Sequence, residues 1–333
     1  MQVHGRGPPG LVVAGRALQG CRSAGGIRGD PAAPRTALPV REAGPFTGSR
    51  RGSEAPRRRS TGGVRMLKHQ ARDRSTDPIE IPVSGVRVTP MDAEELHRWI
   101  SATWQERRKA AVLAHNLHSL YTWEVNPTFR AFYEKADVVL TDGFPVLKLA
   151  KWRSGRDLSA KRHRLGTLDW LPGLMGRTPV RRVAVVGATS AGNARTVDLL
   201  RRDASAGRIE GWPGEGWNPV LEDHIVRSLQ EFRPDFVIVG LGMPLQEEFL
   251  SRRWEELPTA IYAAVGGGID EYAGIQKPPP RWLGPIGLEW AYRLVTQPKR
   301  LGHRYVVEPW ILAYLLATKA VRLSRPRPGT RRP

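Results

Sequence analysis

The chain has 333 residues, 40% of them hydrophobic, enough to bury the core of one large or two modest domains, and its single cysteine, Cys21, excludes a disulfide framework and a cysteine-rich metal site. Its net charge of +20 is uneven: residues 1–65 hold 12 Lys+Arg against 3 Asp+Glu, residues 66–280 hold 29 against 27, and residues 281–333 hold 11 against 2. A near-neutral middle between basic ends argues against a duplex-binding surface and fits a globular body whose C-terminal appendage faces phosphates or anionic lipid.

Residues 1–65 carry 13 Gly and 7 Pro without an apolar period, the composition of a disordered leader. The leader reads either as a transit peptide or as an upstream start with Met66 as the initiator. From residue 79 the pattern turns regular. "IEIPVSGVRV" reads as a short strand pair turning at Ser84-Gly85, and "DAEELHRWISATW" as a helix N-capped by Asp92. Apolar runs then alternate with amphipathic ones: "AAVLAH" (110–115), "DVVL" (137–140), "RVAVVG" (182–187), "DFVIVG" (235–240) and "AIYAAVGGG" (260–268). Such runs predict a Rossmann-like α/β fold, a parallel sheet with helices on both faces. Ligands of such sheets bind beyond the carboxyl ends of the strands. Here those ends carry His115-Asn116, Asp142-Gly143, Gly187-Ala188-Thr189, Gly240-Leu241-Gly242 and Gly266-Gly267-Gly268.

Two nucleotide motifs fail at "VVGATSAGNA" (185–194): Thr189 replaces the second glycine of a dinucleotide fingerprint, and Asn193 replaces the lysine of a P-loop. What remains is a turn and a helix start, able either to hold a phosphate or to close a βα connection. "GLGMPLQEEFL" (240–250) puts Gln246 and Glu247 in a first helical turn, as base or sugar readers or as helix caps. Asp270 follows the last glycine cluster, as a ligand group or an ordinary cap. After Pro278-Pro279-Pro280, Trp282, Trp290, Tyr292, Tyr305 and Trp310 alternate with Arg281, Arg293, Arg300 and Arg304. That mixture suits a membrane interface or a diphosphate. The longest apolar candidate there, "WILAYLLA" (310–317), is far short of the roughly 18 residues of a spanning helix.

Six motifs in one order, "AHNLHSL", "FYEKADVVLTDG", "HRLGTLDWL", "PDFVIVGLGMPLQEEFL", "AVGGGIDEYAG" and "GLEWAYRLVTQPKRLGHRY", resemble the WecG/TagA/CpsF glycosyltransferases, glycosyltransferase family 26. The resemblance spans about residues 79–315 and implies an inverting transfer of a hexose or N-acetylhexosamine from a UDP-sugar to a polyprenyl-diphosphate-linked sugar. It implies Asp142 as catalytic base. It places His115, Asn116, Gly143, Arg164, Gly187, Gln246 and Asp270 around the substrates, and Arg293, Arg300 and Arg304 at the acceptor diphosphate. His303 competes with Arg304, which is favoured for its permanent charge. The "HNLHSLY" and "HRxxxxDW" forms resemble the GumM-like exopolysaccharide branch, which keeps glucose-type as well as N-acetylmannosamine-type donors open. Ala114 and Thr167 stand where many members have Thr and Gly.

The implied organisation is a leader (1–65), a glycosyltransferase domain (66–280) and a membrane-associating appendage with a basic tail (281–333). Removing the appendage is expected to spare the fold and abolish transfer to a lipid-linked acceptor. The implied location is the cytoplasmic face of the plasma membrane, peripheral on anionic lipid, with no nucleic-acid partner; a homo-oligomer is left open. No DxD motif or His/Asp cluster is present, so metal-independent chemistry without a cofactor is expected. A Rossmann-type oxidoreductase and a basic nucleic-acid-binding protein are the alternative readings.

Overall fold

The computed structural model describes residues 77–203, 207–280 and 282–324, so the leader and the tail beyond Ser324 lie outside the described residues. A hairpin of β1 (Ile79–Ile81) and β2 (Val86–Val88) comes first, turning through Val83 and Gly85, both at positive φ. Helix Ala93–Gln105 follows, with Asp92 and Glu95 exchanging side chain-to-backbone bonds as a capping box.

The main sheet contains β3 (Ala110–His115), β4 (Val138–Thr141), β5 (Arg182–Gly187), β6 (Arg208–Trp212), β7 (Phe236–Gly240) and β8 (Ile261–Ala264). All its pairings are parallel, in the order β4-β3-β8-β7-β5-β6. The five runs read as strands are therefore strands. The sixth, "RIEGW", is an edge strand without an apolar run, and Arg208 pairs with Glu210 on its exposed side.

The period of two sorts the strand side chains into two cores. Ala111, Leu113, Val139, Val186, Val239 and Tyr262 pack with Phe129, Tyr133 and Phe249 on one face. Val112, Val138, Leu140, Val185, Ile238 and Ala263 pack with Leu96, Trp170 and Leu171 on the other.

The C-terminal residues fold as helices, the longest being Glu308–Ser324, and no described helix is long and apolar enough to cross a membrane. That helix is fastened to the body. Leu312 is buried in the first core, and Lys319 donates to the Ser84 carbonyl at 3.0 Å and pairs with Glu124 at 3.0 Å. A cut near residue 280 thus removes part of the core as well as the arginines. Leu312→Ala alone is expected to cost about 2–5 kcal/mol in urea-unfolding free energy.

Candidate active site

Strand register builds the centre of the site. β3 and β4 pair His115 with Thr141, so the next residue of each chain segment, Asn116 and Asp142, leaves the sheet side by side. Asn116 then N-caps helix Leu117–Val125, its Oδ1 accepting from the Ser119 amide at 3.1 Å. Its Nδ2 donates to Asp142 Oδ2 at 3.4 Å. Gly143 has to be small: a Cβ there would stand 2.9 Å from the Asn116 Cα.

A third segment closes on the same carboxylate. The Leu165 amide donates to the Thr141 carbonyl at 2.9 Å, extending the chain along the end of β4. Gly166 consequently packs on Asp142, where an added Cβ would lie 3.1 Å from Oδ1. Beneath Asp142 is a cavity of about 50 Å³, lined by Ala114, Asn116, Thr167, Trp170, Met243 and Gln246 among others. Ala114 and Thr167, the two departures from the family pattern, thus face one cavity.

The arginines come from the middle of the chain and from its C-terminal helices. Arg164 Nη1 pairs with Glu289 at 2.8 Å, and Arg293 pairs with Glu271, its Nη2 at 3.1 Å from Oε2. Burial works against the charge of Arg293, but the Glu271 carboxylate outweighs it and holds its pKa above the ordinary value. Arg304 is different. Burial lowers its pKa, its Nη2 reaches Asn116 Oδ1 only at 3.5 Å, and its Nε, like that of Arg164, has no hydrogen-bond partner among the described residues. Asp142 is close enough that its charge acts on Arg293, Arg304 and Glu289 alike. Glu289 is pushed above the ordinary carboxylate range, chiefly by burial. His303 is mostly exposed and stands 3.6 Å from Glu308, whereas Arg304 turns inward. Arg300 lies in helix Pro298–Gly302, but its side chain is outside the described residues.

Gln246 is buried at the cavity wall. Its Oε1 accepts from the Gly266 amide at 2.9 Å, and its Nε2 donates to Glu247 at 2.8 Å, which ties helix Leu245–Arg253 to the glycine cluster. Pro244 is its N-cap, and the Met243–Pro244 bond is cis. Burial raises the Glu247 pKa to about 8, so the carboxyl is mostly protonated at neutral pH. With a folded pKa above the ordinary 4.5, its contribution is full below pH 4.5 and is lost as pH rises through 8. Urea-unfolding free energy of the wild type should therefore fall by on the order of a few kcal/mol from pH 5 to pH 8 on this account. Glu247→Gln, an isostere of the neutral acid, should flatten that dependence; an unchanged slope would remove Glu247 as its source.

Asp270 stands further along the crevice, where Oδ1 accepts from Thr189 Oγ1 at 2.9 Å over the backbone of Gly192. Gly187 (φ +98°) presses on the Gly240 carbonyl, where a Cβ would come within 2.6 Å, and Asn193 Nδ2 donates to its carbonyl at 2.9 Å. Gly187 thus shapes the floor. The His115 side chain is not in the crevice. It shares the face of Ala111 and Leu113, is fully buried, stacks on Tyr133 at 4.4 Å and bonds Ser119 Oγ at 2.8 Å. Burial lowers its pKa to about 3, which keeps the ring neutral.

Asp142, Asn116, Arg164, Gln246, Arg293 and Arg304 are therefore brought together, Asp270 and Gly187 lie at the neighbouring strand ends, and His115 lies in the core. The carboxylates Glu271, Glu289 and Glu308 were not singled out from sequence. A signal existed: Glu289 and Glu308 are the only acidic residues after 280, and both pair with side chains beside the site.

Residues 81–326 match the glycosyl transferase WecG/TagA/CpsF family. The chain belongs to this family. It is a glycosyltransferase, with the parallel α/β sheet that the apolar runs predict. Among its WecG/TagA/CpsF relatives is the N-acetylglucosaminyldiphosphoundecaprenol N-acetyl-beta-D-mannosaminyltransferase of Bacillus spizizenii, 28% identical over 59% of this chain and 74% of the relative. The protein of the same name from Staphylococcus aureus is 27% identical over 53% of this chain and 68% of the relative.

Proposed function

We propose that this enzyme moves a hexose or N-acetylhexosamine from a UDP-sugar to a hydroxyl of a polyprenyl-diphosphate-linked sugar, with inversion, while resting on the anionic face of a membrane. The observation that carries the reading is one carboxylate, Asp142, standing among arginines delivered by the C-terminal helices. An acceptor hydroxyl is a weak nucleophile at neutral pH, and a base beside it supplies about 10²–10⁴-fold in rate. Asp142 takes the hydroxyl proton as the oxygen attacks the anomeric carbon. The bond from that carbon to the UDP oxygen breaks, and UDP leaves with the electron pair.

Arg304 and Arg293 suit the acceptor diphosphate, because a guanidinium fork pairs two phosphate oxygens at once. The unpartnered Arg304 Nε supports this role: a buried donor without an acceptor favours an incoming anion. Gln246, Asp270 and the glycine-lined floor suit the donor nucleotide. The relatives named above support an N-acetylglucosamine-diphosphate-lipid acceptor and an N-acetylmannosamine donor, and the presence of both Ala114 and Thr167 in the cavity lining supports a part for these two positions in donor choice. Bilayer contact is supported by the exposed Trp282, Trp290, Trp310 and Tyr314 on the basic C-terminal helices.

The test is a panel of UDP-sugars assayed with a synthetic polyprenyl-diphosphate N-acetylglucosamine. One donor should release UDP only when the acceptor is present. Equal UDP release with and without acceptor for every donor would contradict the reading.

A further inference from the structure

Helix Phe144–Ser154 begins two residues after Asp142, and its sequence, "FPVLKLAKWRS", has three basic residues and no acidic one. Val146, Leu147 and Ala150 are buried against the body. The opposite side is apolar as well: Leu149 is 38% exposed and Trp152 is 75% exposed, three residues apart on one face. Lys148 and Lys151 flank them in solvent; Lys148 sits 4.8 Å over the Phe144 ring, and Lys151 makes a 3.5 Å contact to the fully exposed Asp157. A tryptophan left in water on a cationic helix is the pattern of an interfacial surface. The patch is also continuous with another. The Phe144 ring packs on Gly287, where a Cβ would come within 2.6 Å, and Gly287 is flanked by the exposed Ile286 and Leu288, with Trp282 and Trp290 nearby in sequence.

We propose that helix Phe144–Ser154 is a second bilayer-contacting element, with Leu149 and Trp152 at the level of the lipid headgroups and Lys148 and Lys151 on anionic phosphates. The inference rests on the membrane part of the proposed function and deepens it, because the bilayer then touches the helix that starts two residues after Asp142. The base is set at a fixed height over the membrane, where a lipid-linked diphosphate presents its sugar. The partner is lipid because the patch combines aromatic and basic side chains and has no acidic side chain on the helix itself.

The test uses the full chain with Cys21→Ser and Trp152→Cys, labelled at residue 152 with an environment-sensitive fluorophore, and vesicles of phosphatidylcholine with or without about 30% phosphatidylglycerol. The expected result is a blue shift on the anionic vesicles and quenching by acyl-brominated lipid. The same label at Val220→Cys, exposed on the helix that follows the opposite edge strand, should show neither. Lys148→Glu with Lys151→Glu should weaken vesicle binding roughly tenfold or more. Activity on a short-chain, water-soluble acceptor should be unchanged in that double variant. Co-sedimentation with an unquenched label at 152 would overturn the role of this helix and leave the membrane reading standing. Absence of co-sedimentation would overturn both. A label shielded without vesicles, in a particle of twice the mass, would overturn the proposal in favour of an interface between two copies.

Discussion

Asp142→Asn is expected to lower turnover about 10²–10⁴-fold while leaving the urea-unfolding midpoint close to wild type. The amide keeps the shape of the carboxylate and still accepts from Asn116 Nδ2, so the turn at Asn116 and Gly143 is preserved. What it loses is the ability to take a proton. KM for the UDP-sugar should change little, because the base acts on the acceptor hydroxyl in the transition state. A folded Asp142→Asn protein with near-normal turnover would remove the base from the mechanism. The substitution also removes a negative charge felt by Arg293 and Arg304. Asp142→Ala is therefore a useful companion: it adds the loss of contacts to the loss of basicity, and the two variants should agree in turnover if basicity dominates.

Arg304→Ala is expected to raise KM for the lipid-linked acceptor about 10- to 100-fold, the range of one lost charge-assisted hydrogen bond. Combined with Arg293→Ala the loss should depart from the product of the two, since both forks serve one diphosphate and sites that share a partner are coupled. Arg304 should matter more on its own, because Arg293 is already held by Glu271 whereas the Arg304 Nε is unpartnered among the described residues. Arg304→Lys should recover only part of the loss, since an ammonium cannot pair two oxygens in a plane. KM for the UDP-sugar is the internal control and should hold. Equal losses for an acceptor with and without the diphosphate would show that the arginines serve the fold instead. Point variants are the proper test here, because truncation also removes Leu312 and Lys319 from their contacts with the body.

Much of the fold was legible because buried parallel strands are written as uninterrupted apolar runs, and β3, β4, β5, β7 and β8 all carry one. β6 was not, since only Ile209 of it is buried and Arg208, Glu210 and Gly211 break its pattern. Strand order was not legible either, because crossover helices tolerate many orders and nothing local in "IYAA" says that it lies between β3 and β7.

In the site, the strand-end rule located Asp142 and Asn116, but it does not say which side of the sheet a side chain takes. Register and the two-residue alternation decide that: they turn His115 into the core beside Tyr133 and leave Ala114 and Asn116 at the cavity. The partners of the arginines were hidden for another reason. Glu289 and Arg164 are 125 positions apart, a pairing that no local spacing encodes.

The most direct test of the central claim is the anomeric configuration of the lipid-linked product, read by proton NMR after transfer from the active UDP-sugar to polyprenyl-diphosphate N-acetylglucosamine. A single attack assisted by Asp142 predicts a new glycosidic bond of configuration opposite to that of the donor. A product that retains the donor configuration, or the absence of any lipid-linked product, would contradict it.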